Sequence, residues 1–150
     1  QNRGCSFSLD PGHANTLEPA KKPFHTLNPA MAQRADGSLM VYGTMGGDGQ
    51  PQTQATIYNR VTRFGDDPQR AIERPRWLLG RTWGLASDSL KLESRFATST
   101  IAALRALGHE VETIGAWDEA VGHAGMVIRQ ANGVMVGGYD PRSNGAVAAY

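Results

Sequence analysis

A glycine-rich loop at residues 43–49 constrains the fold of this chain more than any other feature of its sequence. Four of its seven residues are glycine, an apolar run at residues 39–42 precedes it, and apolar residues at helical spacing follow it. The pattern predicts a strand, a tight loop and a helix in succession. Because glycine adopts positive φ and leaves the backbone uncovered, such a loop can direct several N–H groups at one anionic atom. A phosphate, a carboxylate or the oxyanion of an acyl transfer would fit there, and the alternative is a tight turn that binds nothing.

The helix after the loop has a clear beginning, face and end. Pro51 suits a first helical turn, and Gly65 suits a helix C-terminus. Ile57, Val61 and Phe64 form its apolar face. A second, short helix is predicted from an Asp-Pro cap at residues 67–68 to about residue 74.

The other elements follow from alternation and turn residues. Asp36-Gly37 and the Asn-Gly pair at residues 132–133 predict two hairpins. Strands are expected at residues 28–34, 38–43, 89–93, 109–114, 125–130 and 133–139, and a helix with an Ile101, Leu104 and Leu107 stripe at residues 97–107.

Two segments are expected to be mostly irregular. Residues 1–37 read as extended or looped, with a short β-segment at residues 6–9, and residues 38–150 hold the sheet and helices. Residues 76–87 read as a loop anchored by Trp77 and Trp83. The order of elements predicts an α+β fold, with helices layered on a largely antiparallel sheet.

Composition narrows the possible functions. A net charge of +1 with 19% charged residues gives no electrostatic case for nucleic-acid binding. No apolar run approaches the roughly 20 residues that cross a bilayer. The single cysteine, Cys5, excludes an internal disulfide, and the four histidines have no ligand-like spacing, so neither a metal nor another cofactor is predicted. The long irregular opening without a starting methionine predicts a piece of a larger chain, whose compartment the sequence leaves open.

Several blocks in a fixed order resemble one family. They are Asn2-Arg3-Gly4, Phe7-Ser8-Leu9-Asp10-Pro11-Gly12-His13, Lys22-Pro23-Phe24-His25-Thr26-Leu27-Asn28-Pro29, Gly43-Thr44-Met45-Gly46-Gly47, Ala71-Ile72-Glu73-Arg74-Pro75-Arg76-Trp77 and Asp140-Pro141-Arg142-Ser143. Together they resemble the gamma-glutamyltranspeptidases, N-terminal-nucleophile hydrolases with an αββα sandwich. The match covers all 150 residues and corresponds to the C-terminal part of the family's small subunit.

The resemblance implies an autoprocessed amide hydrolase or acyltransferase. Its nucleophile is the freed N-terminal threonine of the small subunit, with that residue's own amine as base. The threonine motif and the family's carboxylate-binding arginine of the large subunit both lie outside this sequence. The chain alone is therefore predicted to be inactive, and its expected partners are the upstream remainder of the same precursor and a small amide substrate.

The resemblance places Gly46 and Gly47 on the glycine pair that forms the family's oxyanion hole. Asp48 next to them is predicted to cap the helix rather than to act as a catalytic acid. In the tail, Asp140 and Arg142 are predicted to form structural ion pairs or turn contacts. Arg74 and Arg76, near Trp77, are predicted to brace the loop, and a surface role is the safer expectation for both.

The acyl-pocket positions depart from the family's pattern. His25 and Thr26 stand where better-studied members carry a serine pair for the substrate carboxylate. Ser6 stands where they carry an acidic residue for the substrate ammonium, and Arg3 replaces a neutral polar contact. A hydroxyl cannot supply the charge of a carboxylate. The expected substrate is therefore an acyl group with a carboxylate and no ammonium, as in a cephalosporin-acylase-like variant. A non-catalytic anion-binding module and a purely structural fragment are the alternatives.

Overall fold

The computed structural model describes residues 3–82 and 86–149. These residues form seven strands and three α-helices, with short 3-10 turns between them. The strands are β1 (Ala30–Gln33), β2 (Leu39–Thr44), β3 (Trp77–Leu79), β4 (Leu90–Glu93), β5 (Val111–Ile114), β6 (Ala124–Arg129) and β7 (Met135–Tyr139). The helices are α1 (Gln50–Phe64), α2 (Pro68–Glu73) and α3 (Thr98–Ala106).

The larger sheet is antiparallel throughout, in the order β1-β2-β6-β7. Both predicted hairpins are confirmed. In the first, the Asp36 carboxylate accepts the Ser38 N–H at 2.9 Å and Gly37 has φ +82°. In the second, Gly133 has φ +87° and its N–H donates to the Gln130 carbonyl at 2.9 Å. Positive φ at these turn positions is what glycine permits without strain.

Helices α1 and α2 cover one face of this sheet. The core consists of Met40, Ile57, Val61, Ala71, Ile72, Ala124, Met126 and Ile128. The strict alternation of buried and exposed residues along β6 shows that one face is packed and the other is not. Phe64 is 71% exposed, so the predicted apolar face of α1 ends one turn before the helix does.

The predicted helix boundaries are confirmed by their caps. Gly65 follows α1 with φ +71°, and its N–H donates to the Arg60 carbonyl. The Asp67 side chain accepts the Arg70 N–H at 2.9 Å, with a proline in the first turn of α2. These caps satisfy backbone groups that helix ends leave without partners.

A smaller sheet has the order β3-β4-β5, with β3 antiparallel and β5 parallel to β4. The prediction of a wholly irregular segment at residues 76–87 was wrong, because Trp77–Leu79 pairs with β4. Three residues are too few to show alternation in the sequence. Trp77 is partly buried, and Trp83 lies outside the described residues.

Helix α3 forms as predicted, but its apolar stripe is not covered. None of its residues is buried, and Leu107, just beyond it, is 77% exposed. The predicted β-segment at residues 6–9 was also wrong. The chain there forms a 3-10 turn at Arg3–Ser6, and Ser8 makes only an isolated bridge to Thr16. Among the described residues, no helix is both long and apolar enough to span a membrane.

Candidate active site

The glycine loop joins β2 to α1 through a 3-10 turn at Gly47–Gly49. At its start, the Met45 N–H donates to the His123 carbonyl at 3.2 Å. Gly46 then adopts φ +128° and Gly47 φ +51°, both in the region that favours glycine. The Gly49 N–H bonds back to the Gly46 carbonyl at 2.9 Å. The loop is therefore a defined turn that reverses the chain at the end of β2.

The amides of Gly46 and Gly47 have no acceptor within the part of the chain that the structure describes. N–H groups at the first positions of a helical turn have no intrahelical partner. Here both residues line a cleft of about 1090 Å³. The two residues whose amides lack an acceptor among residues 3–82 and 86–149 therefore border a space large enough for a small substrate.

The loop requires glycine at position 47 for a second reason, which is the close approach of Thr82. A Cβ on Gly47 would lie 2.7 Å from the Thr82 carbonyl oxygen, well inside van der Waals contact. A Cβ on Gly49, where φ is −77°, would lie 2.7 Å from Thr82 Cγ2 and would require that side chain to shift. Bare backbone at Gly47 is thus a condition of the packing as well as of the turn.

The cleft brings together four of the six predicted site residues. Arg3 and Thr26 line it with Gly46 and Gly47. Ser6 and His25 are not among its lining residues. The side chain that offers a positive charge to this cleft is therefore Arg3.

Asp48 also lines the cleft, but the prediction that it caps the helix was wrong. The N-cap positions are Gly46 for the 3-10 turn and Gly49 for α1, and neither turn has a side-chain cap. The inserted 3-10 turn places Asp48 inside a helical turn rather than at the flanking position from which a side chain caps a helix.

The first turns of α1 hold the segment that carries Thr26. Gln50 Nε2 donates to the Thr26 carbonyl at 3.4 Å, and Gln54 Nε2 donates to the Asn28 carbonyl at 2.5 Å. Local patterns in the sequence do not predict these contacts. The relevant feature of the sequence is a cluster of glutamines on the first two turns of a helix, but this pattern does not indicate which groups the glutamines bind.

Two more side chains of α1 bond to other neighbouring backbone. Thr53 Oγ1 donates to the Val121 carbonyl at 3.0 Å. Gln52 forms a reciprocal pair with Leu79, donating at 3.0 Å and accepting at 2.8 Å. The helix that begins at the glycine loop is thereby fixed to β3 and to the segment before β6.

The underside of the loop rests on Gly122. A Cβ there would overlap the Met45 carbonyl oxygen, so the two backbones are in direct contact. The Gly122 carbonyl in turn accepts a hydrogen bond from Arg76 Nη2. Arg76 is 1% exposed, so the expectation of a surface role was wrong.

Arg76 belongs to a buried ion network that includes both predicted tail residues. Asp140 pairs with Arg76 at 2.5 Å and with Arg142 at 3.0 Å, and Arg142 pairs with Glu93 at 2.5 Å. The Asp140 carboxylate also accepts the Ala124 N–H at 2.6 Å, at the start of β6. The predicted structural ion pairs of Asp140 and Arg142 are therefore confirmed.

The network sets the pKa values of its members. Burial alone would raise the pKa of Asp140, but the charge of Arg76 and hydrogen bonds from Ala124 and Arg142 lower it below the ordinary value. Burial lowers the pKa of Arg76 to about 10, partly opposed by Asp140. Both groups are therefore charged at neutral pH.

No group of three or more His, Cys, Asp or Glu side chains within residues 3–82 and 86–149 is arranged to hold a metal ion. The polar features of the cleft are backbone amides, one arginine, one aspartate and neutral side chains. This arrangement can stabilise a negative charge on a reacting oxygen and attract a carboxylate.

The fold has a clear structural relative. A crystal structure of cephalosporin acylase from Bacillus halodurans superimposes with a TM-score of 0.71 at 32% sequence identity, covering 100% of this chain and 27% of that one. Mixed helices and largely antiparallel sheets, with a glycine loop at a cleft, define the class as an N-terminal-nucleophile hydrolase fold. The predicted α+β class is confirmed.

Sequence comparisons define the family of this chain within that fold class. The gamma-glutamyltranspeptidase family model matches residues 1–150, and the chain belongs to that family. It is 61% identical over 150 residues to an oxamate amidohydrolase proenzyme of Klebsiella pneumoniae, covering 100% of this chain and 28% of the relative. It is 49% identical over 146 residues to a glutathione hydrolase-like proenzyme of Bacillus subtilis, covering 97% and 28% respectively. The chain thus spans 28% of the length of these two relatives.

Proposed function

We propose that this chain supplies the oxyanion hole and part of the acyl pocket of a threonine-nucleophile amide hydrolase. It would act as the C-terminal portion, residues 1–150, of the small subunit of a longer precursor. The observation that carries the proposal is the pair of amides at Gly46 and Gly47, which have no acceptor among the described residues and line a cleft. The proenzyme names of the two relatives support it.

The chemistry divides between this chain and the rest of the precursor. A threonine hydroxyl from outside the chain attacks the amide carbonyl, and its proton passes to the threonine's own amine. The carbonyl oxygen becomes an oxyanion, which the amides of Gly46 and Gly47 stabilise. Removing one donor of this kind typically lowers kcat by about 100- to 1000-fold. The C–N bond then breaks, the amine or ammonia leaves with a proton, and water hydrolyses the acyl-enzyme.

The substrate that fits best has a carboxylate on its acyl group and no ammonium. Arg3 lines the cleft and offers a cation with paired donors, which match a carboxylate. Ser6, at the position expected to hold an ammonium, is neutral and lies outside the cleft lining. The relative at 61% identity is named for oxamate, an amide of this kind. Oxamate is therefore the first substrate to test.

The experiment uses the complete protein, meaning the full precursor that includes this chain, after it has cleaved itself. Ammonia release from oxamate, and aniline release from glutaryl and γ-glutamyl anilides, are measured side by side. We expect oxamate or the glutaryl anilide to be preferred. A strong preference for the γ-glutamyl anilide would contradict the substrate proposal, and oxamate binding without any hydrolysis would favour the anion-binding alternative.

A further inference from the structure

The segment that carries Thr26 has no regular structure of its own. Residues 21–29 precede β1 and belong to no helix or strand. Among the described residues, no backbone-to-backbone hydrogen bond involves Thr26, Leu27 or Asn28. Yet Thr26 lines the cleft, half-buried, beside the candidate oxyanion hole. Interactions other than the backbone pairing of a sheet must therefore fix the position of Thr26.

Two glutamines of α1 supply that fixation. Gln54 is 7% exposed and its amide donates to the Asn28 carbonyl at 2.5 Å. Gln50, one turn earlier, donates to the Thr26 carbonyl at 3.4 Å. Residues i and i+4 of a helix are about 6 Å apart along its axis, and residues i and i+2 of an extended chain are about 6.6 Å apart. The two spacings match, so the extended segment lies along the helix with two carbonyls in register.

The same helix begins directly after the loop that holds Gly46 and Gly47. Helix α1 therefore carries the oxyanion donors at its start and the acyl-pocket segment along its first two turns. A rigid helix fixes the distance between these two parts of the site, which a free loop would not.

We propose that Gln54, assisted by Gln50, is a positioning residue for acyl selection. It touches neither the substrate nor the reacting atoms, but it places Thr26 relative to the oxyanion hole. This inference rests on the proposed function. If it holds, removing the Gln54 amide loosens recognition of the acyl carboxylate while the attack on the carbonyl stays intact.

The test compares Gln54→Met with Gln52→Met in the complete protein. Both replace a glutamine of the same helix by a side chain of similar size without donors, but Gln52 bonds to Leu79 rather than to the 26–28 segment. The first readout is the ratio of kcat/KM for glutaryl anilide to that for pentanoyl anilide, which has the same length and no carboxylate. The second is the position of residues 26–28 relative to Gly46 and Gly47 in a crystal structure of each variant.

For Gln54→Met we expect the kcat/KM ratio to fall by about 10-fold, the change that one lost hydrogen bond of about 1.4 kcal/mol would produce. The fall should come from a higher KM for the glutaryl anilide with little change in kcat, and residues 26–28 should move away from Gly46 and Gly47 or lose order in the crystal structure of the variant. Gln52→Met should keep the ratio within about twofold, a difference well below one hydrogen bond. An unchanged ratio in Gln54→Met, or an equal fall in both variants, overturns the inference.

Two further arms keep the outcomes distinct. If Gln54→Met does not fold, Gln54→Asn shortens the side chain by one methylene, keeps its polarity and should give the same fall in the ratio. If the parent protein hydrolyses neither oxamate nor either anilide, the proposed function has failed. In that case, or if it hydrolyses oxamate alone, the crystal structures still decide whether Gln54 holds the segment, since unmoved residues 26–28 in the variant refute the positioning role of the contact.

Discussion

The substitution Gly47→Ala is the most direct test of the proposed oxyanion hole, because the structure gives separate measures of its two effects, the strain of a positive φ and the overlap of the added Cβ. Gly47 has φ +51°, and a residue with a Cβ pays about 1–2 kcal/mol in that left-handed conformation. The added Cβ would also lie 2.7 Å from the Thr82 carbonyl oxygen, where ordinary contact begins at 3.4 Å. The loop or the Thr82 segment must therefore move by the difference between 3.4 and 2.7 Å, about 0.7 Å.

A shift of that size matters to catalysis as well as to folding. A donor aimed at an oxyanion works at about 2.7–3.1 Å, so moving it by 0.7 Å takes it out of that range. Losing one such donor lowers kcat by about 100- to 1000-fold. We therefore expect Gly47→Ala to lose kcat by about two to three orders of magnitude. Its loss of stability should be about 2–5 kcal/mol, the φ cost plus about 1–3 kcal/mol for the overlap with Thr82.

Gly65 provides the matched control. It has φ +71°, but a Cβ there would meet no heavy atom within 4 Å, and it lies at the other end of α1. Gly65→Ala should lower the thermal midpoint by the φ cost alone, less than Gly47→Ala does, and leave kcat unchanged. The assay is ammonia release from oxamate by the complete protein, normalised to the cleaved small subunit. If Gly47→Ala keeps kcat within a few-fold of Gly65→Ala, the assignment of this amide to the oxyanion hole is refuted.

The remaining predictions concern the carboxylate anchor and the buried network. Arg3→Ala should raise the KM for oxamate by about 10- to 100-fold, which corresponds to the loss of a charge-assisted hydrogen bond of about 1.5–3 kcal/mol. Lys22 is exposed, and Lys22→Ala should leave this KM unchanged. Equal KM values for the two variants in steady-state assays would contradict the role of Arg3. Asp140→Asn should cost about 3–5 kcal/mol at pH 7, because it leaves Arg76 buried without its carboxylate. Because the pKa of Asp140 is lowered in the folded protein, its charged carboxylate contributes fully to stability above its ordinary pKa of about 3.9. That contribution is lost as the pH falls through the lowered pKa. The difference in thermal midpoint between parent and variant should therefore shrink below about pH 4. A difference that is the same at pH 7 and at acid pH would refute that assignment, and the exposed Asp88→Asn controls for the loss of one surface charge.

Local sequence rules predicted the elements that begin or end at a turn-forming or helix-capping residue. Asp36-Gly37 shaped a hairpin, Gly65 ended a helix and Asp67 began one, because each of these residues acts on backbone within five positions of itself. The glycine loop was predicted for the same reason. The strand at Trp77–Leu79 was missed because nothing within three residues distinguishes it from a loop, and its pairing partner lies in β4.

The contacts that support the site could not be predicted from local patterns. Arg76 meets the Gly122 carbonyl 46 residues away and Asp140 64 residues away, and no spacing rule in a single sequence connects such positions. The sequence likewise gave no indication of which four of the six candidate residues line the cleft and which two do not. Whether Arg3 or Ser6 reaches the cleft depends on a 3-10 turn at the start of the described chain, where a strand had been predicted nearby.

The candidate site is built mainly from backbone, and this explains which side chains matter around it. The groups proposed to meet the reacting oxygen are two amides, and the acyl-pocket segment is held by its carbonyls. Side chains such as Gln54, Thr53 and Arg76 act on that backbone from outside the cleft. Only proline lacks a backbone N–H, and proline cannot adopt the positive φ of Gly46 and Gly47, so selection on this kind of site works through the residues that position it. Changes in substrate preference within such a scaffold are therefore expected at the supporting glutamines and at the arginine of the cleft, while the glycines stay fixed by their φ angles and their close contacts.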